Sequence, residues 1–365
     1  MVPIRKGKKP VASGFRRKRV TRLVVTLDGR GRIEVLEDTM PEVQAGTVLV
    51  EVKSCLVSPG TELGGVAEMR KSPDLKVPRR PFGYGNAGVV LEAGEGVKVF
   101  QAGMRVACMG AGYALHATHV VVPVNLVAPI PEGLSFDEAA FAHLAATALH
   151  AVRRGQVQFG QNVLVMGLGL VGQLVAQIAR ASGARVVAVD RFAVRLDAAR
   201  KCGSDLVVDA SREDVISKAA EFTGGDGIEV AFVAFGGDAT EAMRTILKTL
   251  AVAPDTHRMG VIVIVGGARF EASWPVPFGN VDVRASSRPG PGYHDEAWEL
   301  GAEYPKGFVP WTTKRNLIGV LRAAAQGRLD FKGLVTHRAP LFGAAKACEE
   351  LIAHPERSLG VILNP

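Results

Sequence analysis

Between residues 22 and 123 the apolar positions come in short runs, at 22–27, 48–52, 88–91, 105–107 and 119–123, divided by Gly, Pro and Asp turns. Runs this short and this closely spaced predict a compact, barrel-like β domain. Ser135-Phe-Asp-Glu138 then reads as a capping box, in which a serine hydroxyl and a glutamate three residues on satisfy free amides at a helix start. The alanine-rich stretch behind it predicts a helix to about Arg154.

From Gln161 the texture changes. Strands are predicted over 162–166, 185–189, 205–208, 228–234 and 261–265, with helices over 170–182 and 191–201 and another starting near Asp238. Runs apolar on both faces, joined by amphipathic helices, predict a parallel sheet covered on both sides. An irregular Gly/Pro/aromatic loop follows Ser286, then a helix over about 314–326. Residues 341–365 have the helix–strand texture of a return to the first domain. The expected fold class is α/β, with a β-barrel domain over 20–145 and 311–365 and a doubly wound domain over 146–310.

Composition changes this picture little. The 365 residues are 47% hydrophobic and 22% charged, ordinary for a globular chain of two domains. No apolar run approaches the ~20 residues of a membrane span. The net charge of +8 is a property of one end, because nine basic residues precede the first acid, Asp28. Without those nine, the 44 basic residues fall to 35, against 36 acidic ones. Residues 1–19 therefore read as a basic, solvated and partly disordered arm. Contact with nucleic acid is its alternative use; for the body neither nucleic acid nor membrane is an expected partner. Residues 23–27 are too short for the apolar core of a signal peptide. Cys55, Cys108, Cys202 and Cys348 form no CxxC pair, which leaves a reduced, cytoplasmic protein as the expectation.

The chemistry begins at Gly167-Leu168-Gly169-Leu170-Val171-Gly172, which follows a predicted strand and opens a predicted helix. A lone GxGxxG is weak, but in that context it is a dinucleotide fingerprint. Gly167 makes the turn, Gly169 admits the pyrophosphate, and Gly172 lets helix and strand approach. Asp190, eighteen residues on at the end of the second strand, suits ribose hydroxyls and repels a 2′-phosphate, so NAD is the expected cofactor. Arg191 beside it argues the other way and is outweighed.

The order of barrel, capped helix, dinucleotide fold and return resembles the medium-chain dehydrogenase/reductase superfamily. Its anchors are Ser58-Pro-Gly-Thr-Glu62, Pro81-Phe-Gly-Tyr-Gly-Asn-Ala-Gly88, Gly103-Met-Arg-Val106, the glycine fingerprint and Gly360-Val-Ile-Leu363. The resemblance implies a GroES-like barrel beside a Rossmann domain, and it covers nearly the whole chain from Val20. In zinc-dependent members the ligand cysteine falls at Pro59, the ligand histidine at Tyr84, the neighbouring acid at Gly85 and the third ligand at His143. The four-cysteine lobe is absent. One imidazole cannot hold a catalytic zinc, which takes three protein ligands. The Ser-Pro-Gly-Thr-Glu stretch and the Gly290-Pro-Gly-Tyr-His294 loop resemble a zinc-independent subgroup with threonine- and sorbitol-dehydrogenase-like members.

Without zinc, oxidising an alcohol needs a general base close to its hydroxyl. His143 is the candidate, with Thr61 passing or orienting the proton and Tyr84 shaping the pocket. A packed, inert helix histidine is the bland alternative. His116 and His119 read as surface residues. Ser58, Glu62, Tyr293 and Trp298 are candidate lining residues, although Trp298 and Trp311 serve equally well as core plugs. The expected activity is NAD-dependent oxidation of a secondary alcohol in a sugar, polyol or similar compound. A quinone or enoyl reductase is a second reading. A non-catalytic nucleotide-binding protein, tethered to nucleic acid by its arm, is a third. Family members pair nucleotide domains edge to edge, and apolar strand material at 261–265 and 281–283 fits a homodimer or homotetramer.

Overall fold

The computed structural model describes residues 21–272 and 278–365. The basic arm, and the reading of it given above, lie outside the described residues.

Two large sheets organise the chain. In the first, Thr47–Val57 is the hub. It pairs antiparallel with Gly85–Ala93, with His119–Pro123 and with Gly360–Asn364. Val48, Val50 and Val52 face inward and are at most 2% exposed, while Glu51 and Lys53 point out and pair with each other. That alternation is the period of two that a half-buried strand requires. Gly360–Asn364 sets Leu363 opposite Cys55, so the end of the chain is built into the sheet of its beginning. A smaller sheet of Thr21–Leu27, Ile33–Thr39 and Arg80–Pro81 lies beside it.

The second sheet has six strands, all parallel. In the order in which they enter it they are Asn162–Met166, Arg185–Asp190, Leu206–Asp209, Val230–Val233, Met259–Val265 and Asn280–Ser286. Across the sheet they lie third, second, first, fourth, fifth, sixth. This is a doubly wound dinucleotide fold, and its ligand crevice opens at the carboxyl ends of the first and fourth strands, where the winding reverses. Val163, Val165, Val186 and Val233 are fully buried, as strands covered on both faces should be.

Ser135 caps the next helix as its sequence requires. Its Oγ accepts from the Glu138 N–H at 3.2 Å, and Glu138 Oε2 accepts from the Ser135 N–H at 2.9 Å. The helix Ala142–Gly155 follows and packs against Leu170–Ala181 and Thr313–Ala325. Its alanines let it sit between the two sheets, which fixes its first turn, and His143 with it, beside the crevice.

Two departures have clear causes. The helix expected over 191–201 begins at Ala193, because the Asp190 carboxylate takes the amides of Arg191 and Phe192 and holds them out of the helix. The strands Ile33–Thr39 and Val335–Pro340 were not expected, since both are mixed in polarity and largely exposed.

Candidate active site

The fingerprint builds the cofactor end. Gly167 has φ +94°, a conformation that L side chains rarely adopt. A Cβ at Gly172 would lie 1.8 Å from the Gly167 carbonyl oxygen, so only glycine lets this helix reach its strand. A Cβ at Gly169 would meet nothing, which leaves the start of Leu170–Ala181 open to a phosphate. Leu168 is a correction to the expected contacts: its side chain is fully buried, and its N–H donates to Asp190 Oδ2 at 2.7 Å. Val171 and Gly167 border the crevice, while Gly169 and Leu170 edge a small recess beside it. These features fit a nicotinamide dinucleotide.

Beyond the fingerprint a pocket of about 440 Å³ is lined by Asp190, Arg191, Phe192, Arg195, Phe235 and Asp238, among others. Asp190 Oδ1 accepts from the amides of Arg191 at 2.7 Å and Phe192 at 3.0 Å. Arg195 Nη1 stands 3.5 Å from Oδ2. The guanidinium carbons of Arg191 and Arg195 lie 5.0 and 4.8 Å from the centre of the Phe192 ring.

Phe235 and Gly236 also border a second, larger cleft of about 990 Å³. Its wall brings together Ser58, Thr61, Tyr84, His143 and Tyr293, from four separate stretches of sequence. Pro59–Leu63 is a single π-helical turn, a form that recurs at functional sites. Ser58 precedes it, and the Ser58 Oγ accepts from the Tyr84 hydroxyl at 2.7 Å. Burial, reinforced by Glu62, raises the Tyr84 pKa against the pull of Ser58 and Thr61, so the phenol stays protonated. The Tyr293 hydroxyl accepts from the Ala111 N–H at 2.7 Å, which fixes its ring on the opposite side.

His143 is 1% exposed and its ring stands edge-on to Tyr84, 4.7 Å between centres. Its Nδ1 lies 2.9 Å from the Ala140 carbonyl, an acceptor, so Nδ1 carries the proton. Nε2 is then a bare lone pair, and it has no hydrogen-bond partner among the described residues. Burial pulls the imidazole pKa down to about 4, more than Glu62 and the Ala140 carbonyl restore, and His116 lowers it further. The ring is therefore neutral well below the ordinary imidazole value of 6.5.

Glu62 and His116 are the larger corrections. Neither borders the cleft. Their side chains are 4% and 0% exposed and meet at 3.1 Å beneath it, while Glu62 Oε2 also accepts from the Ser58 N–H at 2.7 Å. Burial alone lowers the His116 pKa, but Glu62 and Cys55 overcome it and lift it to about 10. A pair read as lining and surface is thus a buried clamp on the Ser58–Leu63 turn. Nothing in the local pattern marks it, because the partners are 54 residues apart.

Trp298 is corrected as well. It is 1% exposed, stacks on Tyr304 and packs under Gly292, where a Cβ would come within 2.4 Å of its ring. The cleft takes Ser286, Ser287, Arg288 and His294 instead, from the turn after the last parallel strand and the loop behind it.

A catalytic zinc does not fit these residues. A Cβ at Gly85, where zinc-dependent relatives place an acid, would lie 2.1 Å from His143 Nδ1, so the imidazole itself fills that space. Among the described residues no group of three or more His, Cys, Asp and Glu is arranged to hold a metal. No helix among them is long and apolar enough to cross a membrane.

The family model "Zinc-binding dehydrogenase" matches residues 171–303. The chain is 28% identical to the (R,R)-butanediol dehydrogenase of Bacillus subtilis over 257 residues, 62% of this chain and 72% of that one. It is 25% identical to the sorbitol dehydrogenase of the same organism over 323 residues, 79% and 82% of the two chains. The crystal structure of AibC superposes with a TM-score of 0.75 at 25% identity, covering 98% of this chain and 99% of that one.

Proposed function

The chain is an oxidoreductase of the medium-chain dehydrogenase/reductase superfamily, and on that premise we propose that it is a zinc-independent, NAD-dependent dehydrogenase. Its substrate in this reading is a secondary alcohol of a sugar, polyol or similar hydroxylated compound, and its product the ketone. The observation that carries the reading is His143, which lines a cleft that shares Phe235 and Gly236 with the dinucleotide pocket, whose tautomer is fixed by Ala140 and whose Nε2 has no partner among the described residues.

A bound nicotinamide ring supplies the hydride acceptor. The protein's own task is the proton. His143 Nε2 accepts it from the substrate hydroxyl as the C–H bond breaks, and the buried Glu62 lies close enough to favour the resulting imidazolium. Thr61 stands on the same wall to orient the hydroxyl. Tyr84, kept protonated and donating to Ser58, serves as a rigid wall. Asp190 at the far end underlies the preference for NAD, because a 2′-phosphate would bring two more negative charges beside it.

The test is a screen of NAD reduction against sugars, polyols and amino alcohols, with metal analysis of the same preparation. Alcohol oxidation by metal-free protein supports the reading. A full equivalent of zinc, lost with activity on chelation, sinks it. Turnover only of quinones or enones with a reduced cofactor hands the site to the reductase reading.

Self-association belongs to this proposal too. Asn280–Ser286 ends the parallel sheet with one side unpaired among the described residues, and a second copy there would continue it. A monomeric mass at micromolar concentration contradicts that. A reducing, cytoplasmic setting is consistent with four cysteines that stand unpaired.

A further inference from the structure

The substrate cleft has an uneven charge. Among the residues that line it, Arg288 is the single Lys, Arg, Asp or Glu. Its guanidinium is exposed and has no hydrogen bond, ion pair or ring contact among the described residues, although it lies close enough to Tyr293 to offset a little of the rise that burial imposes on that phenol's pKa. Two residues before it, Ser286 is 5% exposed and its Oγ has no partner among the described residues, yet Ser286 borders the same cleft. Buried hydroxyls are normally satisfied, so an orphan beside a free cation points to a ligand group that serves both.

The backbone says the same. Arg288 has φ +65°, and the next residue is Pro289, which pushes its predecessor toward extended conformations. Four non-glycine residues among those described have φ in the left-handed region, and two of them, Arg288 and His294, border this cleft. The strain is held from behind. Asn316 Nδ2 donates to the Pro289 carbonyl at 2.6 Å, Thr313 Oγ1 to the Gly290 carbonyl at 2.9 Å, and the Thr313 N–H to the Pro291 carbonyl at 2.8 Å. Both side chains are fully buried. A glycine would remove the strain, so retaining a long cation there needs a reason.

We propose that Arg288, with Ser286, recognises an anionic group on the substrate, making the preferred substrate a hydroxylated acid or phosphate ester rather than a neutral polyol. The inference rests on the dehydrogenase reading for its chemistry. The diphosphate of the cofactor is the other anion to consider, and position decides against it. Arg288 follows the sixth strand, three strands from the fingerprint strand. At ~4.8 Å per strand that separation is about 14 Å, which places the guanidinium at the substrate end.

The experiment measures NAD reduction with hydroxy acids of three to six carbons, each paired with the neutral polyol of equal length at equal ionic strength. The wild type should favour the acid of at least one pair. Arg288→Gln should raise the KM for that acid roughly 10- to 100-fold, the usual loss of a charge-assisted hydrogen bond, with kcat little changed. Turnover of the neutral partner should stay within about threefold and the Kd for NADH within about twofold. Arg288→Lys should rescue part of the loss. Arg288→Gly should melt at or above the wild-type temperature while losing the acid preference, which a merely structural arginine would not do. Equal use of acid and polyol by the wild type overturns the proposal, as does equal loss of both in Arg288→Gln or a parallel loss of NADH affinity. If no alcohol is oxidised, the dehydrogenase reading fails by itself. The anion site is then judged by the melting temperature of the NADH complex with D-gluconate against sorbitol. Stabilisation by gluconate in the wild type but not in Arg288→Gln supports the site, and none in either overturns it.

Discussion

The two ends of the crevice are built on opposite principles. The cofactor end is built mainly from residues 166–195, and its central carboxylate is matched: Asp190 accepts three backbone amides and faces Arg195. The substrate end is assembled from segments as far apart as Ser58 and His294, and it keeps unmatched groups. His143 Nε2 and Ser286 Oγ have no partner among the described residues, and Arg288 and His294 sit in left-handed backbone. A site that binds one invariant molecule can be finished in advance. A site that must exchange a substrate and move a proton keeps its unpaired atoms for the substrate, and the structure beneath it bears the cost.

That supporting structure is the Glu62–His116 pair, and breaking it should give the largest effect. His116→Ala leaves the Glu62 carboxylate buried without its cation, a loss that typically costs about 3–5 kcal/mol. Denaturant midpoints at pH 7 measure it, and the double variant with Glu62→Gln should lose less than the sum of the singles. A change below about 1 kcal/mol would make the clamp ornamental and weaken the contrast between the two ends. The pair also fixes a pH dependence. The folded His116 pKa, about 10, lies above the unfolded value of 6.5. Its stabilising contribution is therefore complete below about pH 6.5 and is lost as pH rises toward 10. His143 runs the other way. Its folded value of about 4 lies below 6.5, so the unfolded chain binds a proton that the native one refuses, and stability falls as pH drops from 6.5 toward 4.

Next in size is the proposed base, His143. His143→Ala should lower turnover by ~100-fold or more, equivalent to about 2.7 kcal/mol of barrier, while NAD binding stays nearly unchanged. The acid limb of the wild-type rate should lie near pH 4, the direction that burial imposes, and should vanish in the variant. Near-normal turnover in the variant would reduce His143 to packing and move the reductase reading ahead.

The same contrast explains what was legible in the sequence. The fingerprint, its strand and helix, and Asp190 could be read because dinucleotide binding demands fixed residues at fixed spacing within some thirty positions. The return of the tail to the barrel sheet showed in its helix–strand texture. Glu62 and His116 were misread because each is ordinary in its own neighbourhood and only tertiary pairing buries them. Of the two readings of Trp298, lining residue and core plug, the structure has the second, because its loop is covered by its own residues, Gly292 and Tyr304 among them. Arg288 gave no signal at all, since left-handed backbone before a proline is a property of the fold that no composition announces.

Two glycines test the ends against each other at a smaller scale. Gly172→Ala drives a methyl against the Gly167 carbonyl, a backbone atom that cannot step aside. It should cost about 1–3 kcal/mol of stability and weaken NADH binding. Gly85→Ala drives a methyl against the His143 ring, a side chain rather than backbone. It should leave NADH affinity within about twofold and lower kcat, because the imidazole is displaced rather than the fold. Fluorescence titration and steady-state rates on both variants separate the cases. Equal behaviour of the two would mean that the ends are not independent.

The smallest effect is expected at Asp190, because the cofactor end is over-determined. Its carboxylate ties the amides of Leu168, Arg191 and Phe192, and in the proposed reading it also sets negative charge where a 2′-phosphate would lie. Asp190→Ala removes both. Affinity for NAD should fall as the turn loosens, while NADP gains from the lost repulsion and from Arg191 and Arg195, which remain in the pocket. The ratio of the two dissociation constants should therefore shift toward NADP by about tenfold, near 1.4 kcal/mol, with the NAD loss as one part of that change. Asp190→Asn separates the two roles, since it keeps an acceptor for the amides and drops the charge. It should recover much of the NAD affinity and still narrow the gap. A wild type that already binds NADP more tightly would show that the two arginines outweigh the carboxylate, and would reverse the cofactor assignment without touching the substrate end.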